Sequence, residues 1–472
     1  MSTLSDARDG ASEQFRDLNL SITGLGVEYP PYLLSPSDLD TLCARHYPDS
    51  PAIQKVRMIN NYTGIETRSA IGTVDHPMAN MDRAPTIDEL CKVFLKDGVA
   101  LAITAARKAL HEAQLSPADI THVVSTTCTN SANPGFDHFV CKGLGITQPV
   151  EKVLLHGIGC SGGLACLRTA ANLALGSTFM GRKARILVIA LEISSLLVRS
   201  ELDSVQELQE TRIGITLFSD CASAAVLSNG LGKQDPEPIY SLLGWDHRII
   251  PDTEQDLGFD IDPLGWKVVL SPRVPKLTGA IVAPTFNDLL TTIPNLPSNY
   301  QKASDFDWAL HPGGATILTG VEKSMSITPE HMRASYDTYI NHGNSSSATI
   351  LSVMDRLRQK EMDDCAPDGK VKDYVVGCAF GPGIAIEMCM LKRNLNHVRR
   401  VLVDGDITPP MTETDPSDGE VSRSDTPVDL EAEVEATKEK GDVLEEKLEK
   451  IHPEIPEQND SLAEALNGVE LD

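Results

Sequence analysis

The stretch LLHGIGCSGGLACLRTAANLALG, residues 154–176, begins as an apolar run, breaks into small residues around Cys160, and continues with helical periodicity. A cysteine serving only as a small core hydrophobe would sit inside the apolar run. Here Gly159, Ser161, Gly162 and Gly163 clear the turn of bulk, so another group can approach the sulfur closely. A thiol at a helix mouth meets unpaired backbone N–H groups and the positive end of the helix dipole. Both favour thiolate, so this reading expects a pKa below the free-thiol value of about 8.5.

Outward from that turn, short β-like runs alternate with longer helical patterns from about residue 20 to 395, as in α/β proteins. Strands are expected at 120–127, 184–194, 222–229, 305–311, 373–380 and 384–391. Helices are expected at 97–114, 162–176, 313–324 and 346–360. The Gly-, Pro- and charge-rich segment 230–240 is the best internal boundary. A second glycine-led turn, G-N-S-S-S at 343–347, again precedes a helical pattern, and Asn344 there mirrors Cys160. Two such turns argue for a duplicated unit. The expected organisation is a leader at 1–19, one half at 20–235, a second half at 236–395 and an acidic tail at 396–472.

The net charge of −26 is concentrated at the C-terminal end, where residues 401–472 hold 22 acidic and 5 basic residues. That segment is rich in Pro, Ser, Thr and Glu, and it reads as disordered, with a transient helix over 428–450. The acidic balance gives no electrostatic footprint for nucleic acid. No apolar run reaches the roughly 18 residues of a membrane span. The polar, mixed-charge start lacks the pattern of a secretory signal, so the expectation is a cytoplasmic protein. The 10 cysteines form no CxxC pair and no zinc-like cluster, so they read as reduced thiols and no metal is expected.

Two further residues frame the chemistry. His311 closes a strand and is followed by Pro312, Gly313 and Gly314 in HPGG, with the proline placed to open a helix. Asn344 followed by serines is also ordinary N-cap chemistry. His156, His331 and His342 have weaker surroundings and read as structural. Cys, His and Asn together fit a cysteine protease, in which Asn orients the histidine ring. They equally fit an acyl transferase, in which His and Asn donate hydrogen bonds to a thioester oxygen. The α/β pattern, the duplication and the glycines beside His311 favour the second.

Cys160 in GCSGGL, His311 in HPGG, Asn344 in HGNSSSA and Phe380-Gly381-Pro382-Gly383 in AFGPG, in that order, carry a resemblance. Over about 20–395 the chain resembles type III polyketide synthases, the chalcone-synthase-like branch of the thiolase superfamily, and most closely the fungal members. The resemblance implies a thiolase-like αβαβα five-layered fold of two duplicated halves, in a homodimer without metal or tethered cofactor. It implies that Cys160 holds an acyl starter from acyl-CoA. His311 and Asn344 would stabilise the enolate formed when malonyl-CoA loses CO₂, and His311 would help keep Cys160 ionised.

By the same resemblance, Phe380 to Gly383, Phe218 in LFSD, Ser194 in LEIS, and Ser346 line the substrate cavity. Val268 stands where plant members carry an aromatic gatekeeper. CoA binding falls to Lys55, Arg57, Gly313 and Gly314, although Asn61 or Tyr62 replaces one basic position of the plant pattern. The smaller, apolar mouth implies a fatty acyl starter and alkylpyrone or alkylresorcinol/resorcylic acid products. A single-round ketoacyl condensing enzyme is the alternative within the fold. A Cys-His-Asn hydrolase and a non-catalytic thiolase-fold binding protein are the alternatives outside it.

Overall fold

A computed structural model describes residues 17–232, 236–263 and 265–400. The expected leader up to residue 16, the tail from 401 and its helix at 428–450 lie outside the described residues. Thirteen strands follow in order: β1 (Leu20–Glu28), β2 (Tyr32–Leu34), β3 (Arg68–Ala70), β4 (His122–Thr126), β5 (Glu151–Leu155), β6 (Arg185–Ile193) and β7 (Asp220–Ser228), then β8 (Tyr240–Ile249), β9 (Leu257–Asp262), β10 (Gly265–Leu270), β11 (Asp307–Leu310), β12 (Tyr374–Gly381) and β13 (Ala385–Arg393).

Nine of them form one sheet in the order β11-β12-β13-β8-β1-β7-β6-β4-β5. Outward from the centre the two sides repeat. β1-β7-β6 and β8-β13-β12 are each antiparallel, and β6-β4 and β12-β11 are each parallel. Within the sheet the halves meet where Leu20, Ser21 and Ile22 pair with Leu242, Ser241 and Tyr240. The duplication expected from the paired turns is therefore present in the strand order.

The inner layer consists of the helices Gly162–Phe179 and Thr349–Leu357. The first packs on β4, β6 and β7 of one half and on β12 and β13 of the other. It is apolar nearly all round, with Leu164, Cys166, Leu167 and Ala170 buried, as a helix enclosed between the two halves of the sheet requires. At Gly163 a β-carbon would lie 2.5 Å from the Ser347 carbonyl oxygen, so only glycine lets the inner layer close. The helix Val99–Glu112 covers the outer face of the first half, and Val274–Thr292 covers that of the second. The result is the mixed α/β thiolase-like arrangement of layers.

Three boundaries differ from the sequence reading. Pro312 lies outside any helix, because Gly313 turns back to donate to the His311 carbonyl (2.9 Å) and the helix starts at Ala315. The expected helix at 346–360 begins as a tight 3₁₀ turn at Ser346–Ala348 and ends at Leu357. The acidic tail was expected from 396, yet Arg399 pairs with Asp355 (3.0 Å) and Arg400 donates to the Glu112 carbonyl (3.3 Å). These two arginines hold the chain to the body through residue 400.

Candidate active site

The fold brings the two glycine-led turns together at the mouths of the two inner helices. Cys160 sits in the 3₁₀ turn Gly159–Ser161, directly before the helix Gly162–Phe179. Gly159 has φ +58°, which favours glycine, and a β-carbon there would lie 2.7 Å from the Pro382 ring. The FGPG loop is thus packed onto the cysteine turn.

Asn344 comes from the other half, and its backbone is clamped to the first. Its N–H donates to the Leu217 carbonyl (3.0 Å), and Ser219 N–H donates to its carbonyl (2.9 Å). That single bridge places Phe218 against Asn344. The Asn344 amide nitrogen donates to the Gly313 carbonyl (3.3 Å), and its amide oxygen accepts from Ser346 N–H (2.8 Å). The Cys160 sulfur lies 3.6 Å from the Ser346 hydroxyl. Ser346 holds φ +47°, a strained conformation for a residue with a β-carbon.

His311 is 1% exposed and neither ring nitrogen has a protein partner, so both are available to a ligand. Gly313 and Gly314 leave space beside it. A β-carbon on Gly314 would meet nothing within 4 Å. Cys160 keeps partial exposure, whereas Asn344 is buried.

The ionisation of the site departs from the sequence expectation. Desolvation pushes the Cys160 thiol up to about 11, against the hydrogen bonds from Ser346 and Asn344 that favour thiolate. Desolvation also pushes His311 down to about 3. Loss of water outweighs the helix mouth, and the resting pair is thiol plus neutral imidazole. Proton transfer between the two leaves the net charge of the site unchanged.

Sequence reasoning missed Glu192. It is fully buried and accepts from Cys128 N–H (3.1 Å), Thr129 Oγ1 (2.9 Å) and Ser347 Oγ, tying the segment after β4 to the Asn344 turn. Nothing in LEIS beyond an acid inside an apolar strand could have flagged it.

Beside this site lies a cavity of about 110 Å³, lined by Ser194, Phe218, Val268, Phe259, Leu197 and other mostly apolar residues. Cys160, His311 and Asn344 do not line it; Phe218, bridged to Asn344, does. Of the residues expected at a substrate cavity, Ser194, Phe218 and Val268 line this one, and Ser346 and Phe380 to Gly383 do not. Phe259, opposite Val268 on the β9–β10 hairpin, was missed because its effect exists only across the hairpin. Lys55 and Arg57 lie on the helix Pro51–Tyr62, where Arg57 is already paired with Asp40 at 2.7 Å.

The order of these elements matches the chalcone and stilbene synthases, through their N-terminal domain over residues 51–230 and their C-terminal domain over 244–395. The chain belongs to that family. It is 42% identical over 394 residues to the type III polyketide synthase pspB of Penicillium soppii, covering 79% of this chain and 96% of that one. It is 36% identical to the acylalkylpyrone synthase csyB of Aspergillus oryzae, covering 81% and 96%. Among solved structures, a type III pentaketide synthase from Neurospora crassa matches with a TM-score of 0.79 and 66% identity, over 80% of this chain and all of that one. The chain is a type III polyketide synthase, an acyltransferase that condenses acyl units with malonyl-CoA by decarboxylation. The hydrolase and binding-protein alternatives fall away. No helix among the described residues is long and apolar enough to cross a membrane.

Proposed function

We propose that this synthase loads a fatty acyl starter from its CoA thioester onto Cys160, extends it over several rounds, and releases alkylpyrone or alkylresorcinol/resorcylic acid products. The observation that carries the reading is the apolar cavity reached past Phe218, which gives an alkyl chain somewhere to go. Each methylene buried there is worth about 0.8 kcal/mol, or roughly fourfold in binding. The similarity to an acylalkylpyrone synthase and to a pentaketide synthase supports both the starter class and repeated extension.

In this reading the Cys160 thiol passes its proton to His311 as the sulfur attacks the thioester carbonyl, and His311 returns it to the departing CoA, which leaves as its thiol. Malonyl-CoA then binds and loses CO₂. The resulting enolate oxygen takes hydrogen bonds from the N–H of the neutral His311 ring and from the Asn344 amide nitrogen. The enolate carbon attacks the acyl group on Cys160, forming the new C–C bond and freeing the sulfur. The unpartnered His311 nitrogens and the Asn344 hydrogen bonding that favours the Cys160 thiolate support these roles.

CoA binding by Lys55, Arg57 and the open face at Gly313 and Gly314 belongs to the same reading. A structure of the CsyB relative contains CoA, and that chain is 35% identical with a TM-score of 0.76. A homodimer is part of it too, and β5, the last strand of the sheet, leaves an edge for a second copy.

The test is product mass from malonyl-CoA with a series of acyl-CoA starters. Long-chain starters should give products extended by several two-carbon units, and Val268→Phe should shorten the preferred starter by filling the wall. Single extension throughout, or a preference indifferent to Val268→Phe, sinks the proposal.

A further inference from the structure

The β9–β10 hairpin is a two-stranded sheet separate from the main one, so its grip on the body has to come from elsewhere. It supplies two cavity walls, Phe259 and Val268, which stand opposite one another in the antiparallel register. The backbone of Val268 turns outward from its partner strand. Its N–H donates to Glu201 Oε1 at 2.8 Å, and its carbonyl accepts from Arg212 Nη1 at 3.3 Å. A peptide whose two polar groups both face away from β9 belongs to a non-hydrogen-bonded pair, the kind that brings opposed side chains closest.

Glu201 is 1% exposed, on the helix Val198–Leu208. A carboxylate is an expensive group to bury against an apolar cavity, and a leucine would serve packing better. The tolerance for position is small, since a β-carbon on Gly214 would lie 2.6 Å from Val268 Cγ2. Val268 therefore rests on bare backbone on one side and is tethered by an acid on another.

We propose that Glu201 is a positioning residue for starter choice: by holding the Val268 N–H it fixes the hairpin wall and so sets the depth of the starter cavity. The inference rests on the fatty-acyl reading above. Glu201 lines the same cavity, and it acts on the cavity's depth through the Val268 N–H. Losing this hydrogen bond leaves the Val268 N–H buried and unpartnered, which changes an equilibrium by about tenfold, and that is the scale expected in chain-length discrimination.

The experiment compares Glu201→Leu, Glu201→Asp and Glu201→Gln with wild type and with Val268→Phe. Two quantities are read: the ratio of kcat/KM for long- over short-chain acyl-CoA starters, and decarboxylation of malonyl-CoA without starter. Glu201→Leu, and Glu201→Asp with its shorter reach, should lower the ratio about tenfold while decarboxylation stays at the wild-type rate. Glu201→Gln, whose amide oxygen accepts the same N–H, should restore the ratio. Should Glu201→Leu fail to fold, Glu201→Asp still decides. An unchanged ratio in Glu201→Asp, a parallel fall in decarboxylation, or a glutamine variant as poor as leucine overturns the proposal. If Val268→Phe also leaves starter preference intact, the cavity reading itself is at fault; if it shifts preference and Glu201→Asp does not, only the role of Glu201 is lost.

Discussion

Phe218 and Asn344 are joined by one parallel β-bridge, far apart in sequence and from opposite halves of the molecule. The bridge fixes the Asn344 main chain from both sides, with the Leu217 carbonyl on its N–H and Ser219 N–H on its carbonyl. The side-chain amide is thereby aimed without the side chain bearing the load. Phe218 also lines the neighbouring apolar cavity.

Because its backbone is held independently, Asn344 can lose its amide and keep the turn. Asn344→Ala should reduce malonyl-CoA decarboxylation about 10²–10³-fold, the usual loss for one oxyanion donor, while the unpartnered Ser346 N–H costs about 1–3 kcal/mol of stability and leaves the protein folded. Loading of Cys160 by a starter, followed by mass spectrometry of the acyl-enzyme, should fall far less. A variant that decarboxylates normally would reduce Asn344 to a capping residue.

The Cys160–His311 pair predicts a specific pH response. Desolvation is the main cause that raises the Cys160 thiol to about 11, so thiolate appears only as pH rises through that value. In wild type, iodoacetamide labelling of Cys160 should show a midpoint close to 11. Burial keeps His311 neutral at working pH, so His311→Ala should leave that midpoint in place while slowing acylation by an acyl-CoA starter. A wild-type midpoint at or below the free-thiol value of about 8.5 would show that the helix mouth outweighs desolvation.

The arginines beyond β13 separate two truncations. Ending the chain after residue 395 removes the Arg399–Asp355 pair and the Arg400 contact to the Glu112 carbonyl. Arg399 is 45% exposed, so its pair is worth well under about 1 kcal/mol, and the melting temperature should drop by about 2 °C. Ending the chain after residue 400 should leave melting and activity unchanged, since the triad and FGPG residues precede it. Scanning calorimetry of the two proteins, alongside product assays, settles the comparison.

The sequence by itself determined the local chemistry. Small residues around Cys160, the HPGG frame of His311 and the glycine before Asn344 are requirements of backbone geometry, so they are written where they act. Strand and helix placement followed for the same reason, because hydrophobic period is a local signal. What only the tertiary structure decided were quantities summed over both halves. Enclosure drives the Cys160 thiol up rather than down, because desolvation depends on everything packed around the sulfur and the helix mouth is one contributor. Glu192 and Glu201 are ordinary acids in the sequence and become special only when burial leaves each facing a particular N–H. Phe259 lines the cavity beside Val268 because the hairpin register sets it across from that residue, and no spacing along the chain encodes that register on its own.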